Sequence, residues 1–88
     1  MIEKVIVVQN KLGIHARPAA LLVRIAARFS CDIFLVKNGE EVNGKSIMSV
    51  MALAAEPGSK IIIRARGEDE EQAVQRIVEL FENKFEED

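Results

Sequence analysis

The apolar residues of this chain change their spacing repeatedly, and the order of those changes limits the fold more than any other feature. Residues 2–8, IEKVIVV, form a short β-branched run that reads as a strand. After the loop residues QNKLG the spacing becomes helical, with Leu21, Leu22, Ile25, Ala26 and Phe29 recurring, which predicts a helix from Ala16 to about Arg28. Residues 31–37, CDIFLVK, return to a strand. Asn38-Gly39 is a tight hairpin signal, and the charged EEVN at 40–43 reads as a short edge strand. Ser46 suits the N-cap of a short helix over 47–53, IMSVMAL. EPGS at 56–59 is a turn, and KIIIRAR at 60–66 is a fourth strand. Asp69, with Gln72 after it, resembles a capping box that opens a last helix to about Lys84. Its apolar stripe is Ala73, Val74, Ile77, Val78, Phe81 and Phe85.

The order β-α-β-β-α-β-α predicts an α+β fold in two layers, with three helices on one face of a four-stranded antiparallel sheet. In the fourth strand Ile61, Ile63 and Ala65 must face the helices, because Lys60, Arg64 and Arg66 share the other side. The same parity turns Ile62 outward. With Ile6, Val8, Ile33 and Leu35 facing inward, it also turns Val5, Val7, Phe34 and Val36 outward. Those five residues are expected to form an apolar patch on the open face. Such a patch is either a β-prone outer face or a surface for weak self-association or a second partner, on the side away from His15.

The chain's 88 residues suit one domain spanning 1–88 and leave little room for a deep enclosed site. A 49% hydrophobic and 30% charged composition fits a soluble globular protein. A net charge of −2 and the lack of Trp and Tyr argue against a nucleic-acid partner, despite the arginines discussed below. Cys31 is alone, so it forms neither an internal disulfide nor a multi-cysteine metal site, and it reads as a buried apolar residue. No metal or cofactor is expected, since one histidine falls short of any ligand set. The first apolar run is too short for a signal peptide, and nothing approaches the roughly 20 apolar residues that span a bilayer. The expectation is a cytoplasmic protein with no direct membrane insertion.

GIHARPAA at 13–20 holds the one side chain that titrates near neutral pH. His15 falls at the N-cap of the first helix, where histidine is an indifferent choice beside Ser, Thr, Asp or Asn. The position instead collects free backbone N–H groups and the positive end of the helix dipole, both of which attract anions. Arg17 adds a guanidinium able to bind phosphate with two donors, and Pro18 has no N–H to leave unsatisfied in the first turn. These residues could hold a phosphoryl group on an imidazole nitrogen. The competing reading is a surface histidine that caps a helix by chance, since short motifs match often.

GIHARPAALLV together with VNGKSIMSVMAL resembles HPr, the histidine-containing phosphocarrier family of the bacterial phosphoenolpyruvate-dependent sugar phosphotransferase system. The similarity covers the whole chain. It implies an open-faced β-sandwich with strand order 1-4-2-3, and a stoichiometric carrier rather than an enzyme. His15 matches the family's histidine phosphorylated on Nδ1, and Arg17 matches the arginine that steadies the phosphate. The implied partners are enzyme I as donor and sugar-specific enzyme IIA domains as acceptors. Ser46 matches a serine phosphorylated by a kinase/phosphorylase in relatives, which implies that kinase and a transcriptional regulator as further partners. Where the Gram-positive pattern usually has glycine, this chain has Ser49.

The same resemblance places the short helix beside the histidine, making Ile47, Met48 and Met51 a partner-binding surface with Ala20. Arg17, Arg24 and Arg28, seven and four residues apart, would share one helix face as its basic rim. Such a rim meets acidic partners, although a solvated charged face has the same pattern. Two other functions stay open: an HPr-like regulator serving signalling rather than sugar uptake, and a small interaction module that is never phosphorylated.

Overall fold

The computed structural model describes residues 1–86. Its elements follow the expected order: β1 (Ile2–Val7), α1 (Ala16–Ala26), β2 (Asp32–Lys37), β3 (Glu40–Asn43), α2 (Ile47–Ala52), β4 (Lys60–Arg66) and α3 (Glu70–Glu82). The strands form one antiparallel sheet in the order β1-β4-β2-β3. α3 packs on β1 and β4, and α1 lies against α2 and α3. Leu22 and Ile25 share one buried core cluster with Ile33, Leu35, Ile61, Ile63, Ile77 and Phe81. Each such side chain contributes roughly 1.5–3 kcal/mol by leaving water, so this seam dominates the stability.

Strand parity holds through the sheet. Ile6, Val8, Ile33, Leu35, Ile61, Ile63 and Ala65 are core residues. The apolar residues of the opposite face are unequally exposed. Val5 is 59% exposed and Val7 is also exposed, whereas Phe34 and Ile62 are half-buried. Val36 is buried, against expectation, because it sits mid-sheet between its cross-strand neighbours Ile62 and Glu41. Beside this row Arg64 of β4 bonds Glu3 of β1 through Nε and Glu41 of β3 through Nη1. These ion pairs lie next to the apolar row of Val5, Ile62 and Val36 in the sheet register.

Three element ends differ from the sequence reading. α1 stops at Ala26, and Arg28 lies beyond it in a tightened turn, its N–H donating to Ile25 O at 3.1 Å. α3 stops at Glu82, after which Lys84, Phe85 and Glu86 take φ of 52, 55 and 62°. That left-handed turn brings Phe85 back into the core, its ring centroid 4.7 Å from that of Phe81 in an edge-to-face contact. Left-handed backbone costs roughly 1–2 kcal/mol per residue. The burial of one Phe (about 1.5–3 kcal/mol) and its aromatic contact (about 0.5–1.5 kcal/mol) offset much of that.

The third difference is Asp69, which makes no capping bond to its own helix. Its carboxylate instead accepts the N–H of Ser30 through Oδ2 and that of Cys31 through Oδ1, both at 2.9 Å. A residue read as a local cap is thus a tie between the start of α3 and the start of β2.

Candidate functional site

The site is built on the loop between β1 and α1. Asn10 is fully buried, donates through Nδ2 to Gly13 O, and accepts the Gly13 N–H on its own carbonyl at 3.2 Å. Ile14 N–H then donates to Ala55 O at 2.9 Å, joining the loop to the chain leaving α2. Gly13 has φ +69°, and a Cβ there would lie 2.3 Å from Ala55 O. Only glycine suits both that conformation and that approach. The closed loop sets where the next residues enter the helix.

His15 is the N-cap, with extended backbone (φ −88°, ψ −167°) and its carbonyl accepting Ala19 N–H at 3.0 Å. Its side chain makes no capping bond. The N–H groups of Ala16 and Arg17 have no acceptor within the helix, Pro18 has none to offer, and the first turn carries no acidic residue. The N-terminal field of α1 is therefore not neutralised by a first-turn carboxylate. The ring is half-buried, and its Nε2 is shut from solvent. A reactant arriving from solution cannot reach Nε2 in this conformation.

Arg17 and Arg24 are exposed and line one recess with Ala20, Leu21, Phe85 and Glu86. Arg28 is exposed but does not line it, because the helix has already ended.

Ser46 caps α2, its Oγ accepting the N–H of Ser49 at 3.3 Å, and its side chain is half-buried. Two lysines hold α2 in place. Lys45 Nζ donates to Phe29 O at 2.6 Å just past α1, and Lys37 Nζ donates to Ala54 O at 2.9 Å just past α2. Val50 turns α2 into the core, while Ile47 and Met51 are exposed and Met48 is 79% exposed.

Sequence reasoning missed Leu12, which is 75% exposed in the loop ahead of His15. A large aliphatic residue inside an otherwise polar loop was the available signal. It also missed Asn10, read only as loop chemistry. An Asn three residues before a Gly suggests a side chain closing the loop on backbone.

Among the described residues, no group of three His, Cys, Asp or Glu could hold a metal ion, and no helix is long and apolar enough to cross a membrane. Cys31 is buried, and burial, aided by the nearby Asp69 carboxylate, pushes its thiol up to about 11.

Comparison with known proteins agrees with this geometry. Residues 2–83 match the family model described as the PTS HPr component phosphorylation site. The phosphocarrier protein HPr of Xylella fastidiosa (strain 9a5c) is 51% identical over 88 residues, covering 100% of this chain and 99% of that one. The HPr-like protein Crh of Bacillus subtilis (strain 168) is 46% identical over 77 residues, covering 88% of this chain and 91% of its own. The crystal structure of HPr from Thermoanaerobacter tengcongensis superposes with a TM-score of 0.97 at 45% identity, covering 100% and 99% of the two chains. With its phosphorylation-site motif in a matching fold, the chain belongs to the HPr family of phosphocarrier proteins of the phosphotransferase system.

Proposed function

We propose that Nδ1 of His15 accepts a phosphoryl group from phospho-enzyme I and passes it to sugar-specific enzyme IIA domains. The observation that carries this reading is the N-cap His15 with Nε2 enclosed, at the start of a helix whose first turn holds no acidic residue. With the ring proton on Nε2, the Nδ1 lone pair attacks phosphorus in line as the bond to the donor breaks. The N–H groups of Ala16 and Arg17 and the Arg17 guanidinium receive the phosphoryl oxygens. Neither partner needs a closed cavity for this. Exposed Met48, Met51, Ile47 and Leu12 supply apolar contact, and Arg17 and Arg24 supply a basic rim. The chain acts as one cytoplasmic domain over residues 1–88.

Incubation with enzyme I and phosphoenolpyruvate tests this. The chain should gain the mass of one phosphoryl group, in an acid-labile and base-stable adduct. His15→Ala should fold normally and gain nothing, and Arg17→Ala should gain it more slowly. Normal labelling of His15→Ala would end the carrier role assigned to that residue.

A regulatory reading of Ser46 is favoured by its place at the N-cap of α2, two residues before exposed Met48. A phosphoserine there adds about −1.5 to −2 charges on the face proposed to meet enzyme I. An HPr kinase/phosphorylase would write that mark and a transcriptional regulator would read it.

A further inference from the structure

The free edge of β1 runs alongside α3. Two adjoining recesses there, about 380 and 220 Å³, share Lys4, Val78 and Glu82 and so form one groove. It extends from Ile2 at one end of β1 to Gln9 just past the other. On the α3 side its apolar lining comes from Val74, Val78 and Phe81, on the β1 side from Ile2, Val5, Ile6 and Val7, and none of its residues belongs to the recess at Arg17.

The hydrogen-bond pattern shows which backbone groups of β1 are spare. Val8 donates to Ser59 O at 2.9 Å and accepts from Gly58 N–H at 2.8 Å, so both its backbone groups point toward the β4 side. Antiparallel ladders alternate residue by residue, so Ile6 and Lys4 also bond β4. Glu3, Val5 and Val7 therefore turn their N–H and C=O groups out along the groove. On the α3 side Glu71, Glu79 and Glu82 are exposed, and Lys4 is the one cation in the lining.

We propose that this groove takes an extended segment of a partner protein, in which apolar residues alternate with Lys or Arg, as a fifth strand on β1. Main-chain bonds to Glu3, Val5 and Val7 would hold the segment. Its apolar side chains would cover Ile2, Val74 and Val78, and its cations would meet the α3 glutamates. A second copy of this chain fits poorly. Pairing two β1 edges would bring two glutamate walls together.

The test is titration of the 15N-labelled full chain with a capped heptapeptide of alternating lysine and valine. Shift changes should be confined to residues 2–8 and 70–82. Amide exchange at Glu3, Val5 and Val7 should slow by about tenfold or more at saturation, while that at Lys4 and Ile6 stays as it was. Val5→Pro removes one outward donor without touching the β1–β4 ladder and should abolish binding. If that variant does not fold, the double variant Glu79→Lys with Glu82→Lys decides, and it should weaken binding by about tenfold. Equal binding by the double variant would overturn the proposal. So would equal binding of a glutamate–valine peptide, or shifts centred on α1 and α2. Protection of the Glu3, Val5 and Val7 amides in the free chain, rising with concentration, would assign the edge to a second copy and also overturn it.

Discussion

Gly13 gives the sharpest test of how the loop sets the histidine, because Gly39 supplies its control. Both glycines have positive φ, +69° and +83°. A Cβ at Gly39 would meet nothing within 4 Å, so Gly39→Ala carries conformational strain alone, about 1 kcal/mol. A Cβ at Gly13 would lie 2.3 Å from Ala55 O, while ordinary contact starts near 3.4 Å. Something must retreat by roughly 1 Å, and Ala55 O is also the acceptor of Ile14 N–H at 2.9 Å. Overpacking costs about 1–3 kcal/mol, and losing that bond adds about 1 kcal/mol. Gly13→Ala should therefore cost about 3–5 kcal/mol, a large share of the roughly 5–15 kcal/mol that holds a small domain together. Equilibrium urea unfolding of the two variants reads the difference directly. Phosphoryl acceptance under native conditions should also fall in Gly13→Ala. It should not fall in Ile77→Ala, a core variant of similar expected cost, about 2–5 kcal/mol. If the two glycine variants were equally stable, the close approach to Ala55 would play no part in holding the loop.

Further predictions concern regulation, backbone strain, acid and the thiol. Ser46→Asp should slow phosphorylation by enzyme I with little change in Tm, because negative charge is tolerated at a helix start while a partner surface is repelled; an unchanged rate in a stopped transfer assay would remove the motive for a regulatory serine. Ala54 holds φ +54° just past α2, so Ala54→Gly should stabilise by about 0.5–1 kcal/mol in urea unfolding. The Ser30 N–H, with the Cys31 amide behind it, holds the Asp69 carboxyl below the usual carboxylate range. The stability it contributes is whole above about pH 4 and is lost as pH falls through its lower folded value, since the unfolded chain binds the extra proton there. Urea midpoints between about pH 5 and 2 should therefore fall less steeply in Asp69→Asn. With its thiol buried and pushed up to about 11, Cys31 should resist alkylation at mildly alkaline pH until the chain unfolds, so labelling should follow the unfolding rate; fast labelling of the folded chain would contradict its burial.

What could be read from the residues alone depends on where the deciding free energy lies. Element order, sheet parity and the His15 N-cap are set within a few neighbouring residues, and the period of the apolar pattern conveys them. Asp69 is different. Its spacing to Gln72 looks the same whether the carboxylate bonds its own helix or reaches Ser30 and Cys31, nearly forty residues back. Phe85 continues the stripe of Phe81 four residues on, yet it reaches the core through a left-handed turn that no helical period describes. Val36 has the parity of an exposed residue, and its burial is decided by Ile62 and Glu41 on two other strands. Gly13 needs the carbonyl of Ala55 before its lack of a side chain has a reason. The candidate site was legible for the opposite cause. His15 occupies a position where Ser or Asp would hold the helix better, and in the folded chain it makes no capping bond. A residue that breaks a local rule without a capping contact in return stands out as a candidate functional position. At the start of α1 the first turn carries no acidic residue, Arg17 is two positions on and Nε2 is closed off, and these features support our proposal of phosphoryl transfer at Nδ1.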